Sequence, residues 1–428
     1  MSLNSNETPQ LQIRFVTKEE KYAVPDTPFA VSCKVVSKEL NTILNELLQE
    51  DKISSHKTVD FEFLINEELL RTNLQEHLNL KDISTENVIE IEYFEKYPAP
   101  EPQDCLLHDD WVSGVHVSND WILTSCYDNT VHIWNLKGQH HKTITGHSAA
   151  VKTVSWVSID DNVATFLSGS SDSTAILWEW KIGSNLVKKV NVYKGHERNI
   201  ESLSVSPKKD IFASGGWDHL LKIWSTDSSE SDTLDGESTA KRSKTNKYNV
   251  KLPKMTYKGH HDCISCVRFS NSNDLITSSW DHTIKLWDVE VGGIKQELQG
   301  NKAFFSVDFS NVNRTVITSS ADKHIRLYDP RSTEGSLVKN VFTSHTQWVQ
   351  SVRWSTTDEN LFISGGYDNL LKLWDRRSPN APLFDLTGHE NKVLCCDWSN
   401  PKVMVSGGAD YTVRIYKSKN ESFIVAIG

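Results

Sequence analysis

At seven places along the chain an aspartate is followed three and five positions later by aliphatic residues, and six positions later by an aromatic. The pairs are Asp128/Trp134, Asp172/Trp178, Asp218/Trp224, Asp281/Trp287, Asp322/Tyr328, Asp368/Trp374 and Asp410/Tyr416. The position between the two aliphatics is basic in most copies: Lys222, Lys285, Arg326, Lys372 and Arg414. Alternation with period two predicts a strand with one buried face. Each Asp is placed in the tight turn before that strand, where it can bond its own backbone and accept strained dihedrals. A hydroxyl stands four residues before each Asp, at Thr124, Ser168, Ser214, Thr277, Thr318, Ser364 and Ser406. A unit that returns at fixed phase about every 40–45 residues predicts a stacked or closed array of one supersecondary element.

Upstream of most copies lies Gly-His: Gly146-His147, Gly195-His196, Gly259-His260 and Gly388-His389, with weaker versions at His108 and Ser344-His345. A His, hydroxyl, Asp and indole at these spacings resemble the structural tetrad of WD-repeat blades. There the imidazole bridges the Asp and the hydroxyl, and the hydroxyl bonds the indole, whose buried N–H needs a partner. The resemblance implies an all-β seven-bladed WD40 β-propeller. The same residue types could form a catalytic triad, but an active site is needed once and a staple is needed in every blade. The fifth copy has Gly300-Asn301 and Tyr328, and the seventh ends in Tyr416. Those two blades are expected to be less tightly stapled. A strand at Asp104–Leu107 is expected to close the ring by pairing into the blade that holds Tyr416, which removes an open sheet edge. A terminal Phe423–Ile427 run is the competing candidate.

Before the repeats the period changes. Leu11, Ile13 and Phe15 alternate as a strand, and Tyr22–Val24 reads as a second short strand stopped by Pro25. Leu40, Ile43, Leu44, Leu47 and Leu48 follow helical spacing, with Ser37 as candidate N-cap. Phe61–Ile65 is a third strand, Leu74 and Leu78 suggest a short helix, and Val88–Tyr93 is the last strand. The order β-β-α-β-(short helix)-β is that of a small α+β ubiquitin-like domain. We therefore divide the chain into this domain at 1–96, a Pro-rich linker at 97–103 and a propeller at 104–428. The run Pro98-Ala-Pro100-Glu-Pro102 is expected to be a stiff spacer. It follows the domain where a conjugated ubiquitin-like protein would end in Gly-Gly.

Composition narrows the function classes. The 428 residues carry a net charge of −10. Residues 1–100 hold 10 Lys/Arg against 18 Asp/Glu, leaving the remainder nearly neutral. That disfavours broad nucleic-acid binding by phosphate neutralisation, so direct RNA contact is expected to be minor. An acidic N-terminal domain suits a basic or metal-bearing protein partner. No run of 18 apolar residues predicts a membrane span, and the polar N-terminus has no signal-peptide core. Seven scattered cysteines suggest a reducing compartment. Cys263-x-x-Cys266 lacks a second pair and reads as two sides of one strand, and Cys395-Cys396 reads as strand packing. No phosphate loop, unique nucleophile–base pair or metal cluster points to an enzyme.

Taken whole, the chain resembles a narrow family. Asp60–Leu70, Ser84-Thr85-Glu86 and Glu90–Pro102 are similar to the Notchless-like (NLE) ubiquitin-like domain, and His108–Ser113 opens the propeller. An NLE-like domain followed by seven repeats resembles the WD-repeat subunits of the PeBoW complex. Notchless itself is less similar, since it normally carries one more blade. The resemblance implies a non-catalytic assembly factor of the large (60S) ribosomal subunit and of pre-rRNA processing, in nucleolus and nucleoplasm. It implies a propeller bound to the block-of-proliferation protein, in complex with pescadillo and on the pre-60S particle, and a monomer outside that complex. It implies no cofactor of its own. Its ubiquitin-like domain would dock on the metal-ion-dependent adhesion site of the AAA ATPase midasin, which supplies Mg²⁺ and pulls the factor off. The docking glutamate of the family maps to Glu86, on a polar turn before the last strand. A carboxylate there can fill one open position of an octahedral Mg²⁺ shell; the plainer reading is a solvated turn residue.

Two further regions carry candidate chemistry. The residue before each turn Asp lies at the narrow rim of a blade, and four of these are large aromatics: Tyr127, Trp217, Trp280 and Tyr367. Trp111 and Trp348, each three residues after a blade His, fall near the same rim. Exposed aromatics near a concave centre suit a protein hot spot; alternatively these rings pack on neighbouring blades. Residues 227–256 read as a disordered insertion, and Lys241, Arg242, Lys244 and Lys247 within it form a nuclear-import candidate. A rival to the family reading is a substrate receptor of a cullin-4 ubiquitin ligase, suggested by Trp374-Asp375-Arg376-Arg377.

Overall fold

The computed structural model describes residues 9–50, 58–66, 68–227, 248–332 and 338–418. The chain divides into two compact units, Met1–Pro98 and Ala99–Gly428.

The first unit is built from β1 (Gln10–Val16), β2 (Phe29–Ser32), α1 (Ser37–Glu50), β3 (Phe61–Ile65), β4 (Glu68–Leu69), α2 (Leu74–Leu80) and β5 (Ile89–Glu95). Its sheet runs β2-β1-β5-β3-β4, with β1 and β5 parallel and the other pairs antiparallel. Leu11, Ile13 and Phe15 on alternate positions of β1 meet Leu40, Leu44 and Leu48 of α1 in one buried cluster. The second strand lies later than the sequence suggested. Tyr22 belongs to a 3-10 turn at Glu20–Tyr22, and its ring packs edge-on against Phe61 at 5.0 Å. It contributes to the core without entering the sheet, and Phe29 and Val31 supply the strand. Ser37 is the first helical residue rather than the cap, and its hydroxyl donates to the Leu70 carbonyl. Glu39 instead accepts the Val36 N–H at 3.2 Å, the carboxylate half of a capping arrangement.

The second unit comprises seven sheets in a ring, six of four strands and one of five among the described residues. The last sheet is completed by β6 (Glu101–Leu107), which pairs antiparallel with Thr412–Lys417. An N-terminal strand therefore joins the final blade, as the sequence implied. Because β6 begins at Glu101, the spacer is shorter than 97–103, and Pro102 and Gln103 already lie in blade 7.

Glycine is needed where adjacent blades meet closely. A Cβ on Gly215 of blade 3 would stand 2.5 Å from Ile264 of blade 4, and one on Gly407 of blade 7 would stand 2.6 Å from Val112 of blade 1. The strand after each Asp also differs from expectation. Its aliphatic positions are buried, Leu286 only partly, but so are Lys222, Lys285 and Lys372. This strand lies inside a four-stranded blade stacked between two others, so its lysine stems are covered on both sides. Their ammonium groups reach out to partners, Lys372 to Asp385 at 2.7 Å and Lys222 to Thr256 at 3.2 Å. Their stems cover apolar surface, and with side chains this deeply buried the tips are satisfied by these partners more than by water.

The insertion is more ordered at its C-terminal end than expected. Asn249–Lys251 runs parallel to Leu186–Lys194 as a fifth strand of blade 2, and Met255–Tyr257 is the outer strand of blade 3. Asn249 bonds the buried Asn191, and Tyr248 packs on the apolar cluster of blade 2. Lys241, Arg242, Lys244 and Lys247 lie outside the described residues.

Candidate functional sites

Blades 2, 3, 4 and 6 carry the full staple. In blade 3, His196 Nδ1 lies 2.7 Å from Asp218, His196 Nε2 lies 2.6 Å from Ser214 Oγ, and Trp224 Nε1 donates to the same Oγ at 2.8 Å. The carboxylate can only accept, so Nδ1 carries the proton, Nε2 accepts the hydroxyl proton, and the hydroxyl oxygen is left to accept from the indole. Blades 2, 4 and 6 repeat this set with distances of 2.7–2.9 Å. Burial pushes these carboxylates up. The hydrogen bonds they accept, from the imidazole first and then from groups of the adjoining turns, win and leave Asp172, Asp218, Asp281 and Asp368 below the usual range.

The other blades depart in different ways. Blade 7 keeps the His389–Asp410 and His389–Ser406 bonds, but Tyr416 donates to the Thr387 carbonyl instead of meeting Ser406. In blade 5 Arg326 and Ser320 hold Asp322 in place of an imidazole. Blade 1, whose His108 lacks the preceding glycine, departs further than its repeat spacing implied. Its Asp128 is taken by Thr130, and His132 and His140 stand beside His108. Burial and these neighbouring rings push His108 down to about 3, and burial, opposed by Asp128, takes His132 down to about 4.

Each staple sits beside a turn in which the residue after the Asp has positive φ: Asn129, Ser173, His219, His282, Lys323, Asn369 and Tyr411, all between 64° and 73°. The strain thus falls one residue later than the Asp. In six blades the Asp side chain accepts the N–H two residues on, which holds a left-handed conformation that non-glycine residues rarely adopt. A set repeated around the ring is structural.

These turns bring the candidate aromatics together. Trp111, Tyr127, Trp217, Trp280, Trp348 and Tyr367 all line one cavity of about 490 Å³, walled by the innermost strands of all seven blades. It is the mouth of the axial channel. Trp217 and Trp280 meet edge-on at 4.8 Å, and the series continues through Phe305 to Trp348 and Tyr367 with centroids 5.6–6.3 Å apart. The rings pack on one another across blades, and Trp111 and Trp348 remain 41% and 48% exposed. Lys152 ties two members, bonding the Tyr127 hydroxyl at 2.6 Å and pairing with Glu201, which accepts from Trp217 Nε1 at 2.7 Å. Phe305, Lys152 and Glu201 escaped the sequence reading. They hold the second position of their inner strands, a register that becomes visible once the blades are aligned on Val112, Val151, Ile200, Ile264, Phe304, Val349 and Val393.

In the other unit Glu86 lies exposed on an irregular turn, with its N–H bonded to Ser84 Oγ at 3.3 Å. The carboxylates of the strand that follows are paired: Glu90 with Arg14, Glu92 with Lys18 and Glu95 with Lys21. No cation pairs with Glu86 among the described residues. Among them, too, no group of three His, Cys, Asp or Glu side chains is placed to hold a metal ion. The arginines of the Trp374–Arg377 motif are engaged internally: Arg377 grips Asp375 at 2.7 Å and Arg376 donates to Asn360 at 2.6 Å.

Residues 11–78 match the family model of the NLE (NUC135) domain. Seven segments between residues 102 and 417 match that of the WD domain, G-beta repeat. The chain is 52% identical over 419 residues to the "Ribosome biogenesis protein WDR12 homolog" of Culex quinquefasciatus, covering 98% of this chain and 97% of that one. The proteins of the same name in Drosophila pseudoobscura pseudoobscura and Anopheles gambiae are 53% and 52% identical over 96% of this chain.

Proposed function

The chain belongs to the WDR12 family of ribosome biogenesis proteins, and from that premise we propose that its two units divide holding from release. The protein acts as a non-catalytic scaffold in the nucleolus and nucleoplasm. Its propeller mouth holds the block-of-proliferation protein, in the complex with pescadillo on pre-60S particles. The ubiquitin-like domain is the handle by which midasin removes the factor. Glu86 supplies one hard oxygen to the Mg²⁺ that midasin holds, and the chain needs no metal of its own.

The single observation behind the handle is the contrast at β5. Glu90, Glu92 and Glu95 are neutralised by basic side chains, while Glu86 stands exposed on the turn just before them without a cation among the described residues. An unpaired carboxylate on a projecting turn gives up little in order to coordinate a metal. An aromatic ring around a concave mouth supports the holding role, since such side chains dominate hot spots.

The test is Glu86→Ala in the full chain. It is expected to abolish metal-dependent capture by midasin, and chelation should do the same to the native protein. The variant should still co-purify with the block-of-proliferation complex and remain on pre-60S particles. Glu86→Asp should also fail largely, because it shortens the reach by one methylene and Mg²⁺ is strict about distance. Undiminished midasin capture by Glu86→Ala removes the handle from this turn.

A further inference from the structure

The fifth residues of the seven inner strands form a level ring in chain order: His116, Ser155, Ser204, Arg268, Asp308, Arg353 and Asp397. Four of them act as acceptors for the next blade. His116 Nδ1 takes the Trp156 N–H at 2.9 Å, Ser204 the Phe269 N–H at 3.1 Å, Asp308 the Trp354 N–H at 2.8 Å and Asp397 the Val117 N–H at 2.8 Å. This belt of bonds links neighbouring blades. Arg268 and Arg353 cannot take part as acceptors, because a guanidinium only donates.

Those two arginines are poorly satisfied by the protein. The Nε–H groups of both are buried without a hydrogen-bond partner. Arg353 Nη1 reaches Ser306 Oγ at 3.0 Å and the Val352 carbonyl at 2.7 Å, and Arg268 Nε stands 3.7 Å from Asp308, beyond hydrogen-bond length. His116 adds another donor, since Nδ1 is used as an acceptor and the neutral ring then carries its proton on Nε2.

The channel reaches this level from both ends. The aromatic-rimmed cavity lies on one side, and a second cavity of about 490 Å³ lies on the other. His116, Ser155, Arg268 and Arg353 line both, whereas Asp308 and Asp397 line only the second. A molecule entering from the aromatic side therefore passes Glu201, which Lys152 and Trp217 hold at the rim. It then meets two guanidiniums, an imidazole N–H and the Ser155 hydroxyl, whose present bond to the Trp156 carbonyl is long at 3.4 Å, with neither Asp308 nor Asp397 on that wall. The field there is already felt by Cys266: burial pushes its thiol up, but Arg353 and Arg268 bring it below its ordinary value.

We propose that the waist of the axial channel is a binding site for a small phosphate-type oxyanion, held by Arg268 and Arg353 with Ser155 and His116 completing the donor set. Forked guanidiniums match the spacing of phosphate oxygens. The carboxylates of Asp308 and Asp397 offset the arginine charges, so the site selects by donors more than by net charge. A free anion that threads the channel would add bonds among blades 1, 2, 4 and 6 and tighten the ring.

The probe is inorganic phosphate, titrated into the full chain at constant ionic strength against chloride. Calorimetry is expected to give a saturable binding isotherm, and thermal unfolding a rise that levels off with concentration, since a ligand of the folded state alone stabilises it by mass action. General exclusion of phosphate from protein surface also stabilises, but it does not saturate and does not depend on these side chains. Arg353→Gln and Arg268→Gln should each weaken the apparent affinity at least tenfold. Glutamine offers an acceptor like the other ring members, so the blades are expected to stay joined; circular dichroism checks this. Should either variant fail to fold, Arg353→Lys keeps the charge without the fork and should show the same loss. No saturable binding to the native chain, or binding unchanged in folded arginine variants, overturns the site.

Discussion

Removing one buried hydroxyl separates a staple that holds a blade from one that merely fits it. Ser214 is fully buried, and its Oγ serves both His196 and Trp224. In Ser214→Ala the Trp224 N–H is left buried and unpaired, which costs about 1–3 kcal/mol, and the bond to His196 is lost for about 1 kcal/mol more. Blade 3 should therefore lose about 2–4 kcal/mol. Blade 5 provides the reference. It has neither an imidazole nor an indole at these positions, so Thr318→Val strands no such N–H and should cost less than about 1 kcal/mol. With two units and seven blades, a single unfolding midpoint does not report on one blade. Native-state hydrogen exchange read strand by strand is the suitable assay. Ser214→Ala should lower protection in residues 200–205, 211–216 and 221–225 by roughly 30- to 700-fold, at about 1.4 kcal/mol per tenfold. Equal losses in the two variants, each in its own blade, would refute the claim that the hydroxyl is the centre of the staple.

Acid should weaken blade 1 before the others. His108 and His132 have folded values of about 3 and 4, below the unfolded value near 6.5, so the unfolded chain takes up protons that the folded blade refuses. Their contribution is whole above about pH 6.5 and falls by up to about 1.4 kcal/mol per pH unit for each group as pH drops toward 4. The stapled aspartates act lower, because their folded values are depressed: Asp410, lifted by burial but pulled down further by His389, lies at about 2. Stability from Asp410 is present above about pH 4 and is lost as pH falls toward 2. Exchange mapped across pH that showed blade 1 no more acid-labile than blade 3 would contradict this order. Trp217→Ala with Trp280→Ala should weaken binding to the block-of-proliferation protein by roughly 2 kcal/mol or more in calorimetry, while intact affinity in a folded double variant would make the rim packing alone. Deleting residues 229–247, which spares the strand at Asn249–Lys251, should leave the unfolding midpoint nearly unchanged, since loop length acts weakly; if the basic cluster imports the protein, imaging should show a shift toward the cytoplasm.

What was legible in the sequence is what is local and repeated. The Asp turn, the hydroxyl four residues before it and the aromatic six after it lie within one hairpin, so their spacing is fixed by the pleat, and the staples of blades 2, 3, 4 and 6 could be expected residue by residue. The failures share a cause: each depends on a neighbour far along the chain. Lys222 and Lys372 look like solvent-facing strand positions until two further blades cover them. Tyr22 alternates like a strand residue, but Phe61 captures its ring. Asn249–Lys251 sits in a stretch with the composition of a linker, and only the open edge of blade 2 makes a strand of it. His108 has a partner at Thr124 as expected, but His132 and His140, unremarkable in order, crowd the place where Asp128 should have closed the staple. The channel waist is the instructive case, because it lies between these extremes. No single blade announces it, since one Arg or one Asp on an inner strand is unexceptional. Laid in register, the fifth positions read His, Ser, Ser, Arg, Asp, Arg, Asp, and the departures from an acceptor belt stand out at Arg268 and Arg353. In a closed ring, then, the residues that keep the repeat tell how the blades are held. Those that break it at a shared level are the ones to examine for a ligand.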